Sequence, residues 1–308
     1  MKTLNLAAID VGSNGARLLI KSFDESMPAN SRIKKLMFVR IPLRLGRDVF
    51  SLGKISKERE RMMLHMMIGF KHFMEMNKVD AYRACATAAM REAENGGKII
   101  KRIEKATGIR LEIIRGDEEA QLLCNNLVEY TDSSHGNFAY VDVGGGSTEI
   151  SIVHNDMLVA SCSYNIGTLR LLNGQVALET RQKLEADLTC YASKLDNIQI
   201  VGSGGNINKL YKLSNVKDSI QNISVEELRR LYKILQPLSI QERINRFNLK
   251  DDRADVIVPA CEIFLDVAQY LKTDKIIVPT ISLADSIVDG LYKNIKANKI
   301  SICAERDK

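Results

Sequence analysis

The chain has 308 residues, 45% of them apolar and 27% charged, with a formal net charge of +6 and a pI near 8.9. This balance belongs to a globular protein long enough for two domains with cores of their own, and it excludes a disordered or fibrous chain. No apolar run reaches membrane-spanning length and no signal-peptide pattern opens the sequence, so a cytoplasmic protein with no membrane or DNA partner is expected, its basic surplus favouring polyanionic substrates.

The first stretch, Leu6 to Ile20, reads as a strand ending in Asp10-Val-Gly12, a small-residue turn through Ser13 and Asn14, and a second strand. A polar turn with Pro28 leads to a strand around Met37 to Ile41, and Arg44 to Lys54 reads as a glycine-punctuated loop with three basic residues. Ser56, Glu58 and Glu60 open an amphipathic helix that runs to about Asn77, its Met62, Met66 and Phe70 filling core. The strand Ala81 to Ala86 places Thr87 and Arg91 just past its carboxyl end, where open α/β sheets bind ligands. After a helix from Ile99 to Thr107 and a strand from Leu111 to Ile114 comes Gly116-Asp-Glu-Glu-Ala120. Ordinary capping, with Asp117 as N-cap and Glu118 and Glu119 in the first turn, accounts for that cluster alone. The functional alternative turns one of the two glutamates into a cleft as a general base.

Tyr140 to Val153 repeats the opening: a strand ending in Asp142-Val-Gly144, the turn Gly144-Gly145-Gly146-Ser147-Thr148, and a strand that begins with Glu149. A repeated strand-turn-strand with an aspartate at the same place marks an internal duplication. Glycine and serine clear side chains away from the turn, so several N–H groups can face one anion, and a carboxylate at each strand end suits a hydrated magnesium ion. The sequence therefore implies a phosphate–metal cleft between two related α/β domains. Farther on, a helix from Leu178 to about Leu195 precedes a third turn, Gly202-Ser-Gly204-Gly205, at a helix start suited to anions. Ser224 with Glu227 and Ser239 with Glu242 form two capping boxes, and Arg253-Ala-Asp255 opens a helix to Leu271. A strand from Lys275 to Pro279, a closing helix from Leu283 to Ile295 and a mobile charged tail after Ala297 complete the chain. The six scattered cysteines lack metal or disulfide spacing and read as reduced thiols, and the four histidines fall outside every motif.

In ordered series, Ile9-Asp-Val-Gly-Ser-Asn14, Arg44-Leu-Gly46, Ala86-Thr-Ala-Ala-Met-Arg-Glu-Ala-Glu-Asn95, Gly116 to Ala120, Val141 to Glu149, Gly167-Thr-Leu-Arg170, Gly202 to Gly205 and Arg253-Ala-Asp255 resemble the exopolyphosphatase and guanosine pentaphosphate phosphohydrolase family, of the actin, Hsp70 and sugar-kinase superfamily. The resemblance covers most of the chain. It implies two duplicated ribonuclease-H-like domains around a central cleft: residues 1–125, residues 126–284, and a C-terminal helix over 285–308 that packs back on the first. It further implies magnesium-dependent hydrolysis of a terminal phosphoanhydride, on polyphosphate or on a phosphorylated guanine nucleotide. Glu119 would be the base, Asp10, Asp142 and Glu149 the metal ligands, and Arg91 a holder of phosphate. Gly12, Ser13, Asn14, Arg44, Thr87, Gly144 to Thr148, Gly204 and Gly205 would complete the phosphate site, and a homodimer is expected. Rival readings on the same fold are a sugar-type kinase or chaperone-type ATPase, and a catalytically weak nucleotide-binding regulator. Two departures from the family pattern stand out: Gly15 replaces a usual hydroxyl residue, and Pro279 to Asp285 replaces a glycine- and arginine-bearing loop. Without the extra helical domain of longer members, processive action on long polymers is not expected.

Overall fold

The structure, a computed structural model, describes residues 3–127, 136–155, 157–214, 221–279 and 281–306. The first half runs β1 (Leu4–Val11), β2 (Ala16–Phe23), β3 (Ile33–Ile41), α1 (Leu45–Leu52), α2 (Lys57–Met76), β4 (Ala81–Ala86), α3 (Ala88–Glu92), α4 (Gly96–Thr107) and β5 (Leu111–Ile113). It continues through α5 (Gly116–Leu127), β6 (Asn137–Val143), β7 (Thr148–His154), β8 (Met157–Tyr164), α6 (Thr168–Leu172), α7 (Leu178–Lys194), β9 (Gln199–Ser203) and α8 (Gly205–Leu213). The last elements are β10 (Asn222–Ser224), α9 (Val225–Leu235), α10 (Ile240–Phe247), α11 (Asp251–Ala254), α12 (Ile257–Tyr270), β11 (Lys275–Ile277) and α13 (Leu283–Arg306).

Two sheets result, ordered β3-β2-β1-β4-β5 and β10-β11-β9-β6-β7-β8. Setting aside the added β10, they share one plan: a central strand, β1 or β6, pairs antiparallel with the next strand and parallel with a later one. Both central strands are buried almost throughout, which is why their sequences are nearly unbroken apolar runs ahead of their aspartates. This is a duplicated ribonuclease-H-like, actin-like fold.

Each sheet has its own core, the first built with α2 and α4, the second with α7, α9 and α12. A third core joins the two. In it Leu123 and Cys124 of α5 and Leu283, Ile287 and Val288 of α13 meet Leu6 and Leu19 from the first sheet and Phe138 and Tyr140 from the second. The helices exchange partners: α5, which follows the first sheet in sequence, lies on β7 and β8, while α13 lies on β1 and β2.

Several local expectations change. Arg44 to Lys54 is helical from Leu45, because Leu45, Val49 and Phe50 share an apolar face worth more than the loss at Gly46, and Gly53 closes the helix in the left-handed region (φ 71°). Asp117 lies inside α5, its carboxylate accepting from the Glu118 N–H at 2.9 Å and pairing with Arg115, so it does not cap the helix from outside. Edge strand β8 carried no clear period and was not expected. Arg253 sits in the separate short helix α11, and only the Ser239–Glu242 box is reciprocal, since Glu227 turns to Arg230 instead. Beyond Ala297, where a mobile tail was expected, α13 continues to Arg306. Of the expected domain boundary, residues 128–135 lie outside the described residues. Among the described residues no helix is long and apolar enough to cross a membrane.

One buried charge cluster fixes α13 on the first sheet: the Lys21 Nζ lies 3.1 Å from Asp285 and 2.9 Å from Asp289. Replacing Lys21 with Met leaves two carboxylates facing a nonpolar neighbour. Lys21→Met is expected to cost about 3 kcal/mol of unfolding free energy, the lower end for removing one partner of a buried pair, measurable by urea titration.

Candidate functional site

Both glycine turns close in the same way. The Gly12 N–H donates to Gly15 O at 3.1 Å, and the Gly144 N–H to Ser147 O at 2.9 Å. The two turns then touch. A Cβ on Gly145 would stand 3.0 Å from Ser13 Cβ, and one on Gly146 would stand 2.9 Å from Ala88 Cβ and 3.0 Å from Ser13 Oγ, so no larger residue fits where the halves touch. Between the turns lies a cavity of about 60 Å³. Every site residue expected from the sequence lines it except Arg44, Arg91 and Thr148.

Those three are engaged elsewhere. Arg44 pairs with Asp255, Arg91 donates to Ile114 O at 2.9 Å, and the buried Thr148 hydroxyl donates to Ile166 O at 2.6 Å. Arg91 nevertheless lies near enough to Glu119 to favour its charged form. The arginines at the cavity are Arg17, Arg40 and Arg253.

On one side Glu119, Asp142 and Glu149 converge, with one oxygen of each within 4.8 Å of the others. The register explains why: Asp142 on β6 stands opposite Glu149 on β7, and Glu119 lies in the first turn of α5, which packs on β7. Glu149 Oε1 accepts from the Ser147 and Ser163 hydroxyls at 2.6 and 2.8 Å. Burial, with help from Asp142, outweighs those bonds and raises the Glu149 carboxyl to about 7. Burial also raises Asp142 despite the nearby Arg17, and burial followed by the charges of Glu149 and Asp142 holds Glu119 well above the usual carboxylate range. Glu119 Oε2 is buried without a hydrogen-bond partner. Three hard oxygen donors, all destabilised as anions and one of them unpartnered, fit a divalent cation.

Asp10 differs. Its register partner on β2 is Arg17, and the two side chains form a buried ion pair, so Asp10 lines the cavity but stands outside the carboxylate trio. Arg17 follows Asp10 by the same interval that separates Glu149 from Asp142; aligning the two repeats would have found it. Arg253 stood in a quoted motif without a role. Its guanidinium donates to Asn206 Oδ1, and burial lowers it to about 10. For Arg40 the sequence held no signal. It pairs with Asp252 at 2.5 Å and fills the space beside Gly15, where a Cβ would lie 3.3 Å from Arg40 Nη2. The departing segment near residue 281 is apolar and buried, with Leu283 reaching the cavity wall.

A duplicated actin-like fold whose cleft sets glycine turns against converging carboxylates defines a class of phosphate-handling proteins. Within that class, the pattern of the Ppx/GppA phosphatase family matches residues 29–294, and the chain belongs to that family. Guanosine-5'-triphosphate,3'-diphosphate pyrophosphatase of Vibrio cholerae is 24% identical over 96% of this chain, and exopolyphosphatase 1 of Mycobacterium tuberculosis is 28% identical over 54% of it. The chain spans 60% of the length of the former and 48% of the latter. Among solved structures, an exopolyphosphatase from Cytophaga hutchinsonii superposes with a TM-score of 0.82 at 23% identity, covering 94% of this chain and 98% of that one. The Aquifex aeolicus family member gives 0.74 at 23% identity, covering 95% and 99%.

The raised carboxyls make stability depend on pH. Between the unfolded value near 4.5 and the folded value of about 7, Glu149 keeps its proton when folded and loses it when unfolded, so the folded state binds more protons. Its contribution is fully present below that window and is lost as pH rises through it. In a chelating buffer, Glu149→Gln is expected to raise the thermal midpoint relative to the wild type at pH 8 and to leave it nearly unchanged at pH 4.5.

Proposed function

We propose that the protein hydrolyses the terminal phosphoanhydride of a polyanionic substrate, inorganic polyphosphate first, with magnesium held by Asp142 and Glu149 and with Glu119 as general base. The observation that carries this reading is the convergence of three buried carboxylates on one side of a cavity whose other walls are glycine turns and arginines. Phosphoryl transfer needs positioning and charge neutralisation more than covalent help, and this wall supplies both. Glu119 accepts the proton of the attacking water, whose oxygen bonds to the terminal phosphorus as the bond from that phosphorus to its bridging oxygen breaks, and the shortened chain leaves with the bridging oxygen. The turn N–H groups and Arg253 offset the charge on the phosphoryl oxygens. When bound, magnesium would neutralise phosphate charge and draw the carboxylates back toward their ionised forms.

The main cavity, between the two turns and the carboxylates, suits a phosphoryl group. Beyond it lies a second cavity of about 270 Å³, lined among the described residues by Lys209, Lys212, Lys250, Arg40 and Arg253 with Asp252 as the one acid. Burial, then Lys212 and Arg253, lowers the ammonium of Lys209, as expected where positive charges crowd. None of the described residues lining it is aromatic, and these residues offer charge for a phosphate chain rather than a ring for a purine to stack on. The second reading, a guanosine pentaphosphate phosphohydrolase, is favoured by the names of the relatives that match 96% of the chain.

Phosphate release from short polyphosphate, long polyphosphate, guanosine pentaphosphate and ATP, with and without magnesium, tests the reading; preference for ATP, or no release from any of them, defeats it. Glu119→Gln should lower kcat about 10²–10⁴-fold with binding retained. Replacing Lys209 and Lys212 together by Ala should raise KM for long polyphosphate roughly tenfold, or about 1.4 kcal/mol, and spare pyrophosphate. Equal effects on both substrates would place the chain elsewhere.

A further inference from the structure

The two turns are held from behind by the same device, with one exchange. In the first, Ser13 O accepts from the Gly46 N–H at 2.8 Å and Asn14 O from the Arg44 N–H at 3.0 Å, both at the start of α1. In the second, Gly144 O accepts from the Thr168 N–H at 3.0 Å and Gly145 O from the Leu169 N–H at 2.9 Å, at the start of α6. The next carbonyl, Gly146 O, corresponds to Asn14 O. It is held by a side chain instead: Arg170 Nε donates to it at 2.9 Å.

A trans peptide points its carbonyl and the following N–H in opposite directions. Fixing the carbonyls of Gly144, Gly145 and Gly146 on the α6 side therefore turns the N–H groups of Gly145, Gly146 and Ser147 the other way, toward the cavity that these residues line. The last of the three depends on Arg170. That guanidinium is itself fixed on three sides: Nη2 donates to both oxygens of Glu92 at 2.6 and 2.8 Å, and its plane sits 4.3 Å from the centre of the Phe50 ring. Glu92 ends α3, the helix of the first half that begins at Ala88, which lines the cavity and faces Gly146. Arg170 thus spans the cleft behind the turn, buried and outside the cavity.

We propose that Arg170 is a positioning residue, which, through its bond to Gly146 O and its anchor on Glu92, aims the Ser147 N–H at the phosphoryl group. The proposal rests on the reading of this turn as a phosphate site. It distinguishes Arg170 from the arginines at the cavity, which would touch phosphate directly. A lysine cannot replace it, because an ammonium lacks the planar fork that serves one carbonyl and both oxygens of a carboxylate together.

Arg170→Lys and Glu92→Ala test this in the full chain. Glu92 is exposed, and its variant leaves the bond to Gly146 O in place while removing the anchor, with the thermal midpoint reporting what the fold loses. Affinity for inorganic phosphate by calorimetry, kcat and KM for phosphate release, and the thermal midpoint are measured for each. Arg170→Lys should weaken phosphate binding at least tenfold and lower kcat about 10–10²-fold, less than the loss of a whole oxyanion donor, while KM moves less than kcat. Glu92→Ala should fall between it and the wild type. Merely structural filling would shift the midpoint and leave kcat and phosphate affinity alone. If both variants keep wild-type phosphate affinity and kcat, the role assigned to Arg170 is wrong. A wild type that binds phosphate and releases none, with binding weakened by Arg170→Lys, overturns the hydrolase and keeps the positioning role; a wild type that binds no phosphate overturns both.

Discussion

The close approach of two glycine turns is the constraint on which the rest depends. The Ser13 side chain meets Gly145 and Gly146 at distances where an added Cβ would crowd it, so the floor of the cleft is glycine backbone set against small side chains. A turn stripped of side chains in this way leaves N–H groups that only an anion or ordered water can satisfy. The halves therefore need other means of cohesion. They have the shared core under α5 and α13 and polar clasps at the rim: Arg40 to Asp252, Arg44 to Asp255, Arg170 to Glu92, and the Asn14 amide donating to Asp252 O at 3.0 Å.

Duplication supplied two equal frames, and a few substitutions made them unequal. At one register position the first copy has Arg17 and the second Glu149. The first aspartate is consequently neutralised within its own repeat, while the second faces another carboxylate, and α5 adds a third in Glu119. Burial makes that negative cluster costly by itself, as the raised carboxyls of Glu119, Asp142 and Glu149 record. A site that strains as an isolated cluster of anions gains most from a cation, and the asymmetry confines that gain to one wall of the cleft.

The remaining walls are positive, so a chain of phosphates would lie between a cation-seeking face and fixed guanidinium groups. Arg40 and Arg253 border both the small cavity and the larger basic one, and continuity of charge from one to the other is what a linear polyanion would follow. The apolar segment around Ile281 and Leu283 closes the same cleft from the side of the shared core.

Apolar strands ahead of Asp10 and Asp142, glycine turns after them, and capping at Ser56 and Ser239 are local signals, and local signals made the duplicated α/β fold, the two glycine turns and the acidic start of α5 legible in the sequence. Lone residues whose role depends on a distant partner were not legible. Arg44 and Arg91 carry the right charge, but Asp255 and Ile114 O claim them; Arg40 carries the same charge and reaches the cavity because Gly15 leaves room for it. Composition and spacing determine which strands end in a carboxylate and which turns lack side chains, since those properties are carried by neighbouring residues. Only the folded chain decides which of the many arginines and acids arrive at the cleft, because that depends on register across the sheets and on helices that pack against the half they do not follow in sequence.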